Sequence, residues 1–357
     1  MPNLDTGHYF LTVLAPIRTG TVQETNVSFV QNVREALAVM PTALQSPATE
    51  EIGINSPFAL NRRTHFARFA VIGDVIFNGS THDNALVNAL RGFDPIATQP
   101  VDNLSSSYLM FTAVFDAVLQ EGDPLPEDLS EAEQDAVRDA FARRLWDTMR
   151  EEIDAIFSNC YGFSSVEDAE GFADYIRRCQ VETTMPFNDY WLEAPKLHTL
   201  PTTALAALVL VPAAVAILAL LSWLFGAALV WPLSYLIALP AGLTFVVAAL
   251  LTALALYVAY RVVMSNGHKP MPPGRYASLP SVLKSLYVQQ TFSDFAIDHQ
   301  TATDREIHEA FGRFLAEHKP TDVAQPSQRP GVISIRPQGG VLHDETDLAT
   351  TRKEAMR

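Results

Sequence analysis

One long apolar stretch, residues 200–264, constrains this chain more than any other feature. It contains no Asp, Glu, Lys, Arg or His before Arg261. At 1.5 Å per helical residue it is far longer than one crossing of a hydrocarbon core about 30 Å thick, whereas two crossings fit it. The pattern predicts a transmembrane helical hairpin. Its turn is expected at residues 226–235, where Trp231 and Pro232 combine an interfacial aromatic with a helix breaker.

The charges beside this hairpin predict its orientation. Lys196 precedes the first span, Arg261 and Lys269 follow the second, and the connecting turn carries no charge. The positive-inside rule then places both ends of the hairpin in the cytoplasm. The N-terminus has no basic region followed by an apolar one, so no cleavable signal peptide is expected. The prediction is a multi-pass protein of the inner (cytoplasmic) membrane with both termini in the cytoplasm.

Composition and motifs limit the partners and the chemistry. The 357 residues carry a formal net charge of −15. No basic stripe is visible, which argues against nucleic acid as a partner. The two cysteines, Cys160 and Cys179, have no metal-ligand spacing and are expected to be buried thiols. P-loop, GxGxxG, GxSxG, HExxH and EF-hand patterns are absent, which argues against nucleotide use and classical hydrolase chemistry.

The polar sequence before the hairpin predicts the order strand, helix, strand, strand, helix and a weak final strand. Runs of strand formers and apolar positions at helical spacing define these elements. Asn26 is the expected N-cap of the first helix. The βαββαβ order is that of the split βαβ motif. The predicted strands cover residues 8–15, 65–77, 108–115 and 181–184, and the predicted helices cover residues 30–40, 131–157 and 166–178.

Three of these segments resemble a known superfamily. Residues 9–16, residues 65–72 (HFARFAVI) and residues 108–116 (YLMFTAVFD) look like core strands of the ferredoxin-like, dimeric α/β-barrel superfamily. The resemblance covers residues 8–185 and implies an α+β fold and self-association. The superfamily includes haem peroxidases, small monooxygenases and plain binding domains. Haem is therefore one implied cofactor, but the glycine and aspartate signature of the peroxidases is absent and no histidine is assignable as an axial ligand by spacing. The cofactor stays unknown.

The whole chain is expected to contain four parts. Two amphipathic segments after the hairpin, residues 281–299 and 307–315, carry apolar stripes that need a partner, and the soluble domain can supply it. The headgroup layer of a membrane is the alternative. The parts are a ferredoxin-like soluble domain (1–195), the transmembrane hairpin (196–264), a C-terminal helical arm that packs on the soluble domain (265–337), and a disordered tail (338–357).

Three strand residues are candidates for chemistry. With a period of two, His65 shares a face with Phe69, while Arg68 lies on the other face and calls for a buried carboxylate, from Asp74 or Asp116. One of the basic groups could grip an anion, a haem propionate or a peroxide, and Asp116 could act as an acid or base. For the basic residues, the structural alternative is a solvated start of the strand in which the histidine has a hydrogen-bond partner. For Asp116, the alternative is a carboxylate that caps the strand or pairs with a cation.

Tyr190 is the fourth candidate. It lies in an aromatic loop, residues 186–191, just before the hairpin. This loop could form the mouth of a site for a lipid-soluble ligand, with Tyr190 in its polar lining. The alternative is a juxtamembrane aromatic anchor.

Two functions follow from these patterns. The first is a structural or accessory subunit, anchored in the bilayer, that docks a partner or its own copies at the membrane. The alternative is a membrane-bound oxidoreductase, haem peroxidase-like or monooxygenase-like, that acts on a hydrophobic substrate. A transporter is the weakest reading, because residues 200–260 contain no ionisable side chain apart from tyrosine.

Overall fold

The computed structural model describes residues 3–23, 25–44, 53–73, 75–76, 90–92, 102–183, 199–226 and 240–332. The chain forms two compact units. Unit 1 combines Met1–Ala194 with Pro272–Arg357, and unit 2 is Pro195–Met271. The predicted α+β class with an antiparallel sheet and two apolar helices is confirmed. The predicted turn after Gly226, Asp74 and the tail at 338–357 lie outside the described residues.

A five-stranded sheet is the centre of unit 1. Its strands pair in the order β1-β2-β6-β3, and β7 pairs with β2 beside β1. Each of these pairings is antiparallel. Strands β4 and β5 form a separate two-stranded sheet. The bounds are β1 Leu4–Asp5, β2 His8–Pro16, β3 Thr64–Ile72, β4 Val75–Ile76, β5 Asp102–Asn103, β6 Tyr108–Asp116 and β7 Gln180–Val181.

One face of the sheet builds the hydrophobic core because apolar residues alternate along the central strands. The odd-numbered positions of β2 and β6 are almost fully buried, as the two-residue period of a strand requires. Phe115 stacks on Phe141 with 3.7 Å between ring centroids. The core-facing strand residues are Tyr9, Leu11, Val13, Ala15, Leu109, Phe111, Ala113 and Phe115.

The described residues of this first part of unit 1 include the helices α1 Phe29–Val39, α2 Glu131–Phe157 and α3 Ala169–Cys179. Helix α1 is capped by Ser28, which accepts the Gln31 N–H, and not by Asn26 as predicted. Ser130 and Glu133 form a capping box at the start of α2, which satisfies two otherwise unpaired N–H groups. The buried stripes of α2 and α3 include Phe141, Leu145, Met149, Ile153, Phe172 and Ile176.

In its described residues, unit 2 contains two apolar helices, α4 Thr202–Phe225 and α5 Ala241–Gly267. Both are long and apolar enough to cross a membrane, by length and composition. Small side chains are buried where the helices meet, which permits close approach of the backbones. These residues are Ala216, Ala219 and Ser222 of α4, and Thr244, Ala248 and Ala255 of α5.

The C-terminal segment, defined here as residues 272–332, completes unit 1. It contains α6 Leu279–Asp298 and α7 Asp304–His318. Lys284 of α6 donates to the carbonyls of His318 and Pro326, at 2.8 and 2.6 Å. Val332 forms an isolated parallel bridge with Leu44.

Candidate functional site

Two histidines and an aspartate converge at one end of the sheet. His8 is the first residue of β2 and Asp116 the last of β6, and the antiparallel register sets them directly opposite each other. His65 comes from β3. One potential ligand atom from each residue lies within 4.8 Å of the other two. We call these three residues the His-His-Asp cluster.

A β-bulge directs His65 into this cluster. Thr64 pairs with Phe115 and Phe66 pairs with Val114, so His65 is an extra residue in β3. An extra residue interrupts the alternation of side chains along a strand. The expected sharing of a face by His65 and Phe69 therefore does not hold at this position. The His65 ring instead meets the His8 ring edge to face, with centroids 4.7 Å apart.

Asp116 is the hub of the cluster. Its Oδ1 lies 2.7 Å from His65 Nε2 and 3.5 Å from His8 Nε2. Its Oδ2 accepts the backbone N–H of Leu279 at 2.9 Å. Burial raises the pKa of this carboxyl, but the hydrogen bonds from His65, His8 and Leu279 outweigh burial and hold its pKa below the ordinary value. Asp116 is therefore a buried carboxylate that must remain paired.

His8 is held from both sides of its ring. Nδ1 lies 3.2 Å from Thr6 Oγ1, and Nε2 lies 3.2 Å from the carbonyl oxygen of Ala277. Thr6 and Gly7 have φ values of 53° and 78°. Because Asp5 pairs with His8, these two residues form the tight turn of a hairpin whose type needs positive φ at both positions. A β-branched threonine is strained there.

This arrangement can do two things. The hydrogen bonds of the cluster tie three strands to the C-terminal segment, since Ala277 and Leu279 both contact the cluster. The two imidazoles and one carboxylate are also ligands that divalent transition metals accept. The cluster is closed to solvent: His8 is 0% exposed and the side chains of His65 and Asp116 are each 3% exposed.

The other two predicted site residues do not join the cluster. Arg68 is exposed, and its guanidinium carbon lies 5.0 Å from the centroid of the Phe66 ring. The expected burial of Arg68 against a carboxylate is therefore wrong, because this part of β3 faces solvent. Arg63, directly before β3, is buried instead, and it donates to the carbonyls of Val118, Leu119 and Ala140. Tyr190 lies outside the described residues.

His8 is the member of the cluster that the sequence did not reveal. It starts the first predicted strand, but a lone histidine there carries no motif. The link between His8 and the cluster is evident only from the pairing of β2 with β6, whose register places His8 opposite Asp116. The sequence does not identify Thr6, Ala277 or Leu279 as neighbours of the cluster either, because their roles depend on tertiary contacts.

A cavity of about 660 Å³ lies at the opposite end of the same strands. Its lining is mostly apolar and includes Leu14, Ile72, Tyr108, Tyr175 and Arg178. Nine-residue strands at about 3.3 Å per residue separate the two ends by roughly 25 Å. The cavity and the His-His-Asp cluster are therefore two distinct places in unit 1.

Comparison with models of protein families, with curated proteins and with solved structures found no match to this chain.

Proposed function

We propose that this protein is a membrane-anchored accessory subunit. Unit 2 spans the bilayer as a hairpin, and unit 1 is a soluble α+β domain that docks a partner or another copy of this chain at the membrane surface. The single observation that carries the proposal is the pair of apolar helices, α4 and α5, which pack on each other through small residues.

The outer surface of these helices supports the proposal. Large apolar side chains of α4 and α5 are exposed, and Leu210, Phe225 and Leu250 are each more than 60% exposed. A continuous apolar surface of this kind is unfavourable in water and is stable against hydrocarbon. The absence of charge along α4 and through most of α5 fits a bilayer core.

We further propose that unit 1 has the ferredoxin-like fold. The support is its strand order: β7, β2, β6 and β3 lie side by side and antiparallel, with α1 between β2 and β3 and α2 and α3 between β6 and β7. That is the order of a split βαβ domain with one extra short strand, β1. Dimeric relatives of this fold class favour self-association of unit 1.

The closed cluster favours an accessory role over catalysis. A substrate needs access to reacting groups, and the His-His-Asp cluster is shielded from solvent. The cavity is accessible, but the cluster does not line it. Docking requires neither an open catalytic centre nor a cofactor, so it agrees with both observations.

Membrane fractionation tests the anchor. The full chain should remain in the pellet after a sodium carbonate wash, because hydrophobic spans are not removed by alkali. The double variant Leu210→Arg, Leu250→Arg should insert poorly, since an arginine near a span centre costs about 2.5–3.5 kcal/mol on insertion scales. The matched control is Leu119→Arg, at a residue of unit 1 that is exposed. Release of the wild-type chain by carbonate would contradict the proposal.

Topology and docking need separate measurements. We propose that both termini lie on the cytoplasmic side of the inner membrane. A reporter fused to the C-terminus should then be active only inside the cell. Chemical cross-linking in nanodiscs holding either one or several copies should show whether unit 1 pairs with itself. A reporter active only outside would overturn the orientation and leave the anchor intact.

A membrane-bound oxidoreductase for a hydrophobic substrate is the second candidate. The observation that favours it is the apolar cavity of about 660 Å³, which is large enough for a small organic ligand. The visible spectrum of the purified protein tests the haem form of this candidate. A Soret band that disappears in a His65→Ala variant would support it, and a colourless protein would exclude haem.

A further inference from the structure

We propose that the His-His-Asp cluster binds one divalent transition-metal ion, with His8 Nε2, His65 Nε2 and an Asp116 carboxylate oxygen as its protein ligands. This inference goes beyond the anchoring role and does not depend on it. The bound ion would join the sheet to the C-terminal segment.

The first support is the direction of the ring nitrogens. His65 Nε2 and His8 Nε2 both face the same Asp116 oxygen, at 2.7 and 3.5 Å. His8 Nε2 also faces the Ala277 carbonyl oxygen at 3.2 Å. Nitrogens and oxygens that point at one another need either a hydrogen on each nitrogen, which a neutral imidazole can supply, or a metal ion in place of those hydrogens.

The second support is the group behind His8. Thr6 Oγ1 lies 3.2 Å from His8 Nδ1, and the same hydroxyl donates to the Asp5 carbonyl at 2.7 Å. With its proton engaged there, the hydroxyl oxygen can accept the His8 Nδ1–H. In the metal-bound form that contact would hold the tautomer in which Nε2 presents its lone pair, as the outer groups of metal-bound histidines do, whereas without metal Nε2 carries the hydrogen that it donates to the Ala277 carbonyl. The strained φ of 53° at Thr6 is what places this hydroxyl.

The third support is the spacing of the ligand atoms. Zinc lies about 2.0–2.2 Å from imidazole nitrogen and carboxylate oxygen, so tetrahedral ligand atoms are roughly 3.3 Å apart. The distance from His8 Nε2 to Asp116 Oδ1 is already 3.5 Å. The distance from His65 Nε2 to Asp116 Oδ1, 2.7 Å, must widen by roughly half an ångström. The Ala277 oxygen or a water can supply the fourth position.

The ligand chemistry selects the class of ion. Imidazole nitrogen suits Zn²⁺, Fe²⁺, Co²⁺ and their neighbours, whereas Ca²⁺ and Mg²⁺ prefer shells made of oxygen alone. The Leu279 N–H on Asp116 Oδ2 leaves Oδ1 as the oxygen directed at the two rings. The ligand set therefore favours a closed structural ion held by two nitrogens and one carboxylate oxygen.

Metal binding by the full chain in detergent tests the proposal. The protein is stripped with a chelator, loaded with Zn²⁺, dialysed and analysed for metal content. We expect one Zn²⁺ per chain, a higher midpoint of thermal unfolding with Zn²⁺, and no such effect of Mg²⁺. Loading with Co²⁺ should give visible absorption bands typical of a four-coordinate site with nitrogen ligands.

Three variants locate the ion. His65→Gln and Asp116→Asn should each weaken Zn²⁺ binding at least 100-fold and abolish the Co²⁺ bands. His308→Gln is the matched control, because His308 is an exposed histidine of α7, and it should bind as the wild type does. A wild-type protein that is folded by circular dichroism and retains neither Zn²⁺, Fe²⁺ nor Co²⁺ overturns the proposal, even where a variant fails to fold. Equal affinity in folded Asp116→Asn and wild type also overturns it.

Discussion

The carboxylate of Asp116 accepts the backbone N–H of Leu279 at 2.9 Å, across 163 positions of sequence. The same carboxylate contacts both histidines of the cluster. One buried side chain thus connects the central strand β6, its neighbours β2 and β3, and the first residue of α6.

Replacing Asp116 by alanine should destabilise unit 1 by about 3–5 kcal/mol, because it removes the buried carboxylate that accepts from both His65 Nε2 and the Leu279 N–H. Urea unfolding in detergent measures the loss, and hydrogen exchange of the peptide that contains Leu279 should become faster. Asp147→Ala is the control, since Asp147 is exposed on α2, and its effect should stay within about 0.5 kcal/mol. Equal effects of the two changes would contradict the structure.

Arg63→Met and Arg68→Met form a matched pair on one strand region. Arg63 is 3% exposed and donates to three backbone carbonyls, so its replacement should cost about 2–4 kcal/mol. Arg68 is exposed beside Phe66, so its replacement should cost less than about 0.5 kcal/mol. Urea unfolding of both variants measures the difference. A larger loss of stability in Arg68→Met than in Arg63→Met would contradict the burial of Arg63 and the exposure of Arg68.

Gly7→Ala tests the packing of the turn before His8. A Cβ at Gly7 would lie 2.7 Å from Leu125 Cβ and 2.9 Å from Pro273 Cβ, while a Cβ at Gly122 would meet nothing within 4 Å. Both glycines have positive φ, 78° and 87°, so both alanines carry the backbone cost of about 1–2 kcal/mol. Thermal unfolding should show a further loss of about 1–3 kcal/mol for Gly7→Ala alone. Equal losses would mean that the C-terminal segment does not pack there.

Cys160 should make stability depend on alkaline pH. Burial raises the pKa of this thiol from 9.0 to about 12. Between these values the unfolded chain binds fewer protons than the folded one, so the free energy of unfolding falls as pH rises, by about 1.4 kcal/mol per pH unit for this group. Urea unfolding from pH 8 to 11 should therefore show a shallower decline for Cys160→Ala than for wild type. Parallel declines would indicate an accessible thiol.

The sequence alone predicts the elements of unit 1 well where the pattern is long and regular. The period of two from Tyr9 to Ala15, and the stripe from Val137 to Phe157, leave few alternatives to a half-buried strand and an amphipathic helix. The N-cap of α1 is misassigned because Asn26 and Ser28 are equally good caps by residue type. Only the hydrogen bond from the Gln31 N–H identifies Ser28.

The candidate site could be predicted only in part. His65 and Asp116 attract attention as polar residues among apolar neighbours, but their contact depends on the bulge between Thr64 and Phe66. A one-residue insertion in a strand has no sequence signature here, yet it decides which side chains meet. The sequence does not predict the exposure of Arg68, because an arginine among apolar residues fits an exposed strand face as well as a buried ion pair.

The division of unit 1 by the hairpin has a consequence for the order of folding during synthesis. Ala277 and Leu279 follow the whole of unit 2 in the chain, so their contacts with His8 and Asp116 cannot form until residues 195–271 have been translated. At about 5–20 residues per second, these roughly 80 residues take about 4–16 seconds. During that interval the nascent sheet lacks the contacts that Ala277 and Leu279 make with His8 and Asp116.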